Sequence, residues 1–170
     1  PALMQNGEHA AVLRWLSGIP DNVLRGYPVL CSYLGYSLTV TGKLDQGQAY
    51  LHEAEHGLAD SPEQLGSTLA FISYNACFRG EFEREIDLSR RALQLIPAQK
   101  AWERGIAAVS LGLALCHNGD PQGCVSAMQE ALVLGQQSNT IRTCVHALTY
   151  LGRMSVLRLD FQQAELYYRQ

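Results

Sequence analysis

Charge is scarce along this chain, and what there is does not cluster. Asp, Glu, Lys and Arg make up 17% of the 170 residues, the formal net charge is −3, and no basic run exceeds Arg90-Arg91. That excludes the cationic stripe with which a domain grips a phosphate backbone, so no direct nucleic-acid binding is expected of this segment. Long apolar runs are missing too. The longest, Ile106 to Cys116, is too short to span a bilayer and is broken by Ser110 and Gly112, so no membrane partner is expected. No stretch shows the period-two alternation of β-branched residues that strands need. Cysteine is present five times, an odd number, and never as C-x-x-C. Cys31, Cys77, Cys116, Cys124 and Cys144 stand among apolar neighbours, where a thiol acts as a small hydrophobe, and their pattern points to a reducing, cytoplasmic setting.

What the chain does have is a repeat. Leu34-Gly35 stands ahead of Gly42 and Ala54, Ile72-Ser73 ahead of Gly80 and Ala92, and Leu111-Gly112 ahead of Gly119 and Ala131, each in the same register. The alanines lie 38 and 39 residues apart, and a fourth copy starts at Leu151-Gly152 before Leu159-Asp160-Phe161. A period of this size means stacked helix pairs, each burying its apolar face on the next. With 47% apolar residues there is ample material for a continuous core.

The spacing predicts an all-α right-handed solenoid forming a single domain over 1–170, with four antiparallel pairs at about 28–60, 62–97, 98–137 and 139–170. A leading helix over about 7–17 precedes them and is broken by Ser17-Gly18-Ile19-Pro20-Asp21. Pro28 suits a first helical turn, and Ser61 with Gln64 is placed to form a capping box. Gly42, Gly80 and Gly119 fall at helix ends, where a left-handed residue is cheap for glycine. Gly35, Gly112 and Gly152 fall inside helices, where glycine costs about 0.5–1 kcal/mol and is expected only where a neighbouring helix comes close. The chain ends within its fourth pair with no polar cap after Tyr167 and Tyr168, as expected for a piece of a longer protein.

The Leu-Gly, turn-glycine and alanine pattern resembles the tetratricopeptide repeat (TPR), with a longer period. Arg14-Trp15-Leu16, Ile19-Pro20, Tyr27-Pro28-Val29-Leu30, Gly42, then Gly47, Leu51 and Ala54 resemble the opening of the helical sensor region of MalT-like LuxR-family transcriptional regulators. The distinctive part of that likeness covers residues 14–58. It implies a sensor that binds a small-molecule inducer or a protein or peptide partner. It also implies a parent protein with an ATPase domain that binds ATP and a DNA-binding helix-turn-helix. This segment holds neither a phosphate loop nor a basic recognition helix, so no cofactor is expected within it.

One stretch invites a catalytic reading. His52-Glu53-Ala54-Glu55-His56 matches H-E-x-x-H, in which two histidines one helical turn apart hold zinc and the glutamate is the base. Ala54 belongs to the repeat contact, however, and no third ligand follows at the expected spacing, so a solvated helix face is expected. No serine or cysteine pairs with a histidine and a carboxylate, and no enzyme is expected. The more informative set is the inner wall of the superhelix, taken from the first helix of each pair. Counted back from each turn, it contains Ser32, Tyr36, Thr39, Tyr74, Phe78, His117 and Arg153. Tyr36, Tyr74, Phe78 and Arg153 are expected to share one groove, with the aromatics stacking on a ligand and Arg153 anchoring a polar group. The function this supports is a regulatory binding module; the alternative is a structural or adaptor TPR protein.

Overall fold

A computed structural model describes residues 2–170. Three short helices lead: α1 (Ala2–Gln5), α2 (His9–Leu16) and α3 (Asp21–Leu24). Four antiparallel pairs follow: α4 (Pro28–Val40) with α5 (Leu44–Gly57), α6 (Pro62–Arg79) with α7 (Phe82–Leu95), α8 (Ala101–His117) with α9 (Pro121–Gln137), and α10 (Ile141–Leu157) with α11 (Phe161–Tyr168). The described residues contain no strand. The fold is an all-α, TPR-like right-handed solenoid, with each pair packed within itself and then onto the next. The leading region differs from a single helix: Gly7, at φ 80°, separates α1 from α2, and α3 adds one turn before Tyr27.

The repeat signature has a direct geometric cause. At Gly35 a Cβ would lie 2.6 Å from Leu51 Cγ and 2.8 Å from the Gly47 carbonyl oxygen, so α4 and α5 cross almost backbone to backbone. At Gly112 a Cβ would meet Met128, and at Gly152 the ring of Tyr168. Ala54, Ala92 and Ala131 are fully buried. Gly42, Gly80 and Gly119 make the left-handed turns, and in the fourth pair Leu159 takes that place at φ 61°.

Helix entry is only partly as expected. Pro28, Pro62 and Pro121 open α4, α6 and α9. The Ser61 side chain does not cap α6: Pro62 sets the entry and Gln64 stays in solvent. The caps that form are Asp120, accepting from the Gly123 amide at 2.8 Å, and Asp160, accepting from the Gln163 amide at 3.0 Å.

Three clusters make the core. One is aromatic, built around Tyr36, Phe71, Tyr74 and Trp102 with Met4, Val12, Leu51 and Ile106. A second, around Val109, Leu113, Cys124, Met128, Leu151 and Met154, contains no aromatic ring among its fully buried members. A third joins Leu24 to Cys31, Leu34, Leu38, Ala54 and Leu58 beneath α3.

Candidate functional site

The aromatic cluster opens into a recess of about 440 Å³ on the concave side. Four helices and the leading segment build it. Tyr36 comes from α4, Tyr74 from α6, and Trp102, Ile106 and Val109 from α8; Thr143 and His146 come from α10. Met4, Gln5, Asn6 and Gly7 form another part of the wall, so the leading segment bounds a surface that the repeats alone would leave as an open groove. Its volume lies in the range of small-molecule pockets, and its mix of apolar walls with a few polar groups is also typical of them.

The rings are held by one another. Tyr36 stacks on Phe71 at 4.5 Å between centroids, meets Trp102 edge-on at 6.0 Å, and lies 5.7 Å from Tyr74. Tyr74 faces His146 edge-on at 6.4 Å. His9, from α2, closes the back of this arrangement: it meets the Tyr36 ring edge-on and its Nδ1 lies 3.3 Å from Ser37 Oγ. Burial pushes both tyrosine hydroxyls above the ordinary phenol range, and for each the Arg142 guanidinium pulls the other way. Burial, reinforced by Arg142, lowers His9 to about 4 and also lowers His146 from the ordinary imidazole value.

The structure separates the expected wall residues into three groups. Tyr36 and Tyr74 line the recess, each with no more than 5% of its surface exposed, so they are core and wall at once. Ser32 and Thr39 are buried in bonds between pairs: Ser32 Oγ lies 3.0 Å from Thr68 Oγ1, while Thr39 Oγ1 donates to the Gly35 carbonyl and accepts from Asn75 Nδ2. Hydroxyls satisfied in this way tie neighbouring helices together and face no ligand. Phe78, His117 and Arg153 lie outside the recess. Phe78 is half exposed one turn beyond Tyr74, against whose ring it packs edge-on at 5.1 Å. His117 is stacked on Phe82 at 4.6 Å, and the Arg153 guanidinium lies over the Tyr150 ring at 5.8 Å.

The expected single groove through Tyr36, Tyr74, Phe78 and Arg153 is therefore corrected. The cation that α10 brings to the recess is Arg142, in its first turn. Arg153 lies 11 residues further along the same helix, about 16 Å at 1.5 Å per residue. Sequence reasoning also missed Trp102, Thr143 and His146 and the wall contributed by Met4 to Gly7. One local signal was available: Arg142 is a cation in the first turn of a helix with no acidic residue there, the reverse of what the helix dipole favours.

The H-E-x-x-H stretch lies on the solvent side of α5. Glu53 accepts a hydrogen bond from Arg25 Nη1 at 2.9 Å, and His52 and His56 face each other with Nε2 atoms 3.2 Å apart. Among the described residues no three His, Cys, Asp or Glu side chains converge as a metal site. No helix of the described residues is long and apolar enough to cross a membrane.

Comparison with known proteins gives the fold and little more. No protein-family model matches the chain, and no curated protein matches it. It is similar to a solved structure titled "MamA MSR-1 C2", with 16% sequence identity and a TM-score of 0.60 over 99% of this chain and 91% of that one. At that identity the likeness shows a shared helical-repeat fold, and any function must be argued from the residues of the recess.

Proposed function

We propose that this chain is a regulatory binding module that takes a small molecule in the recess between its leading segment and α4, α6, α8 and α10. The observation that carries this reading is the bounded wall. An extended peptide needs an open groove, whereas Met4 to Gly7 turn this one into a pocket walled by rings and aliphatic side chains. The finer reading is the sensor segment of a cytoplasmic, MalT-like LuxR-family regulator, with the bound molecule as inducer. It rests on the motif over residues 14–58, and ATP and DNA binding would then belong to other domains of the parent. No catalytic activity and no cofactor are proposed for this segment.

A second reading, an adaptor that holds protein partners, is favoured by one observation. Away from both chain ends, Val133 of α9 and Val145 of α10 are exposed apolar side chains. Native mass spectrometry of the chain, incubated with small-molecule extract from its host, separates the two. The small-ligand reading expects a discrete adduct that disappears in Val109→Phe, which fills the recess from a wall position. The absence of an adduct, or one unchanged in that variant, would overturn it. An upstream phosphate loop and a downstream basic helix-turn-helix in the full gene are expected of the regulator and not of the adaptor.

A further inference from the structure

Arg142 is the single ionised side chain on the wall of the recess, and no Asp or Glu shares that wall. The two other cations that are only partly exposed are both paired, Lys100 with Glu63 and Arg104 with Glu130, whereas the other unpaired Lys and Arg side chains are exposed. Arg142 makes no ion pair among the described residues, although it is only partly exposed. His9 and His146 beside it carry no negative charge in either protonation state, so no side chain lining the recess balances the guanidinium.

The backbone adds charge of the same sign. Thr140 to Thr143, the cap and first turn of the 17-residue α10, line the recess. Thr140 gives no side-chain cap, and its hydroxyl instead lies 2.9 Å from Ser138 Oγ. The first helical amide bonded to a backbone carbonyl is that of Cys144, which leaves the amides ahead of it without a helical acceptor. A guanidinium at the positive end of a helix is unfavourable unless an anion joins them.

A third observation is independent of that helix end. Tyr36 and Trp102 are buried to 2% and 3% exposure, yet neither the hydroxyl nor the indole N–H has a partner among the described residues. Both residues line the recess, and neither polar atom is sealed from it as the unpartnered atoms of Glu85, Ser89 and Ser110 are. Buried donors of this kind are normally satisfied.

We infer that the recess binds a small organic anion, with its carboxylate or phosphate on Arg142 and the first turn of α10 and its flat apolar body among Tyr36, Tyr74 and Trp102. This rests on the small-ligand reading and narrows it to a chemical class. An oxyanion accepts the guanidinium and amide donors together, and a planar body fits a wall of rings.

Isothermal titration with three probes of one shape tests it: 1-naphthoate, 1-naphthyl phosphate and the neutral 1-naphthamide. At least one anion should bind ten-fold or more tightly than the amide, and the tighter of the two identifies the headgroup. Arg142→Gln should weaken that anion at least ten-fold and the amide less than two-fold, with Arg142→Lys recovering part of the loss. Binding of all three probes with equal affinity, or an anion preference that survives Arg142→Gln, would overturn the anion assignment while leaving the recess as a small-molecule site. Failure of every probe to bind would overturn both.

Discussion

The aromatic cluster and the aliphatic cluster are made on the same repeat frame, yet the first opens into a recess of about 440 Å³ and the second borders one of only about 130 Å³. Around Tyr36, Phe71, Tyr74 and Trp102 the contacts are between flat, stiff rings, and α4 approaches α5 so closely that Gly35 faces the Gly47 carbonyl. Around Met128, Leu151 and Met154 the side chains are pliable, and the space above Gly112 is taken by Met128. Thioethers and leucines adjust to fill a gap, whereas rings in fixed planes leave what they cannot cover. The recess is thus a consequence of which residues fill the frame, and the frame itself is indifferent to it.

The seam between the two clusters carries the largest expected effect. Glu85 of α7 is fully buried with both carboxylate oxygens unpartnered, and desolvation raises it to about 8 although the nearby Cys77 thiol works against the rise. Its folded value lies above its ordinary 4.5, so the folded chain holds a proton that the unfolded chain has lost. Stability should therefore be greatest below about pH 4.5 as far as this group is concerned. It should fall through neutral pH and level off above about 8, a loss on the order of 3–5 kcal/mol. Urea unfolding of the chain and of Glu85→Gln between pH 5 and 9 measures it. The variant should lose most of the downward slope, and an unchanged slope would place the titration elsewhere.

The next contrast is between stiff and pliable crossings. Gly35→Ala should cost about 3 kcal/mol, because a backbone carbonyl blocks the new methyl, whereas Gly112→Ala should cost about 1 kcal/mol, because Met128 can swing aside. Paired denaturant midpoints check this, and equal losses would mean that the two crossings do not differ in stiffness. A smaller effect of opposite sign is expected at Leu159. It holds the left-handed turn that glycine makes in the other three pairs, and its side chain is exposed. Leu159→Gly should relieve about 1 kcal/mol of backbone strain, or about 2–4 °C in Tm for a chain of this size. A lower Tm would show that the turn is not strained.

The helices, the turns and the buried glycines were legible because each follows from spacing within one pair. The four observed pairs span 28–57, 62–95, 101–137 and 141–168. Tyr36 and Tyr74 were placed on the wall for the same reason: neighbouring pairs are stacked with nearly fixed geometry. Arg142 and the Met4 to Gly7 wall were not legible, because their meeting depends on how far the superhelix curls between its leading segment and its fourth pair. No periodicity records that curl. The bonding of Ser32 and Thr39 was not legible either, because their hydroxyls bond across to Thr68 and Asn75, partners 36 residues away in each case.

Trp102 gives the most direct test that the leading segment bounds the recess. The chain has two tryptophans, Trp15 and Trp102, so in Trp15→Phe the emission belongs to Trp102 alone. Acrylamide, a neutral quencher that does not compete for Arg142, should reach this buried ring poorly in the full chain. Deletion of residues 1–8 should leave the circular dichroism of the four pairs in place, shift the emission to longer wavelength and raise quenching several-fold. Equal emission and equal quenching with and without those residues would contradict it, and would return the concave face to an open groove.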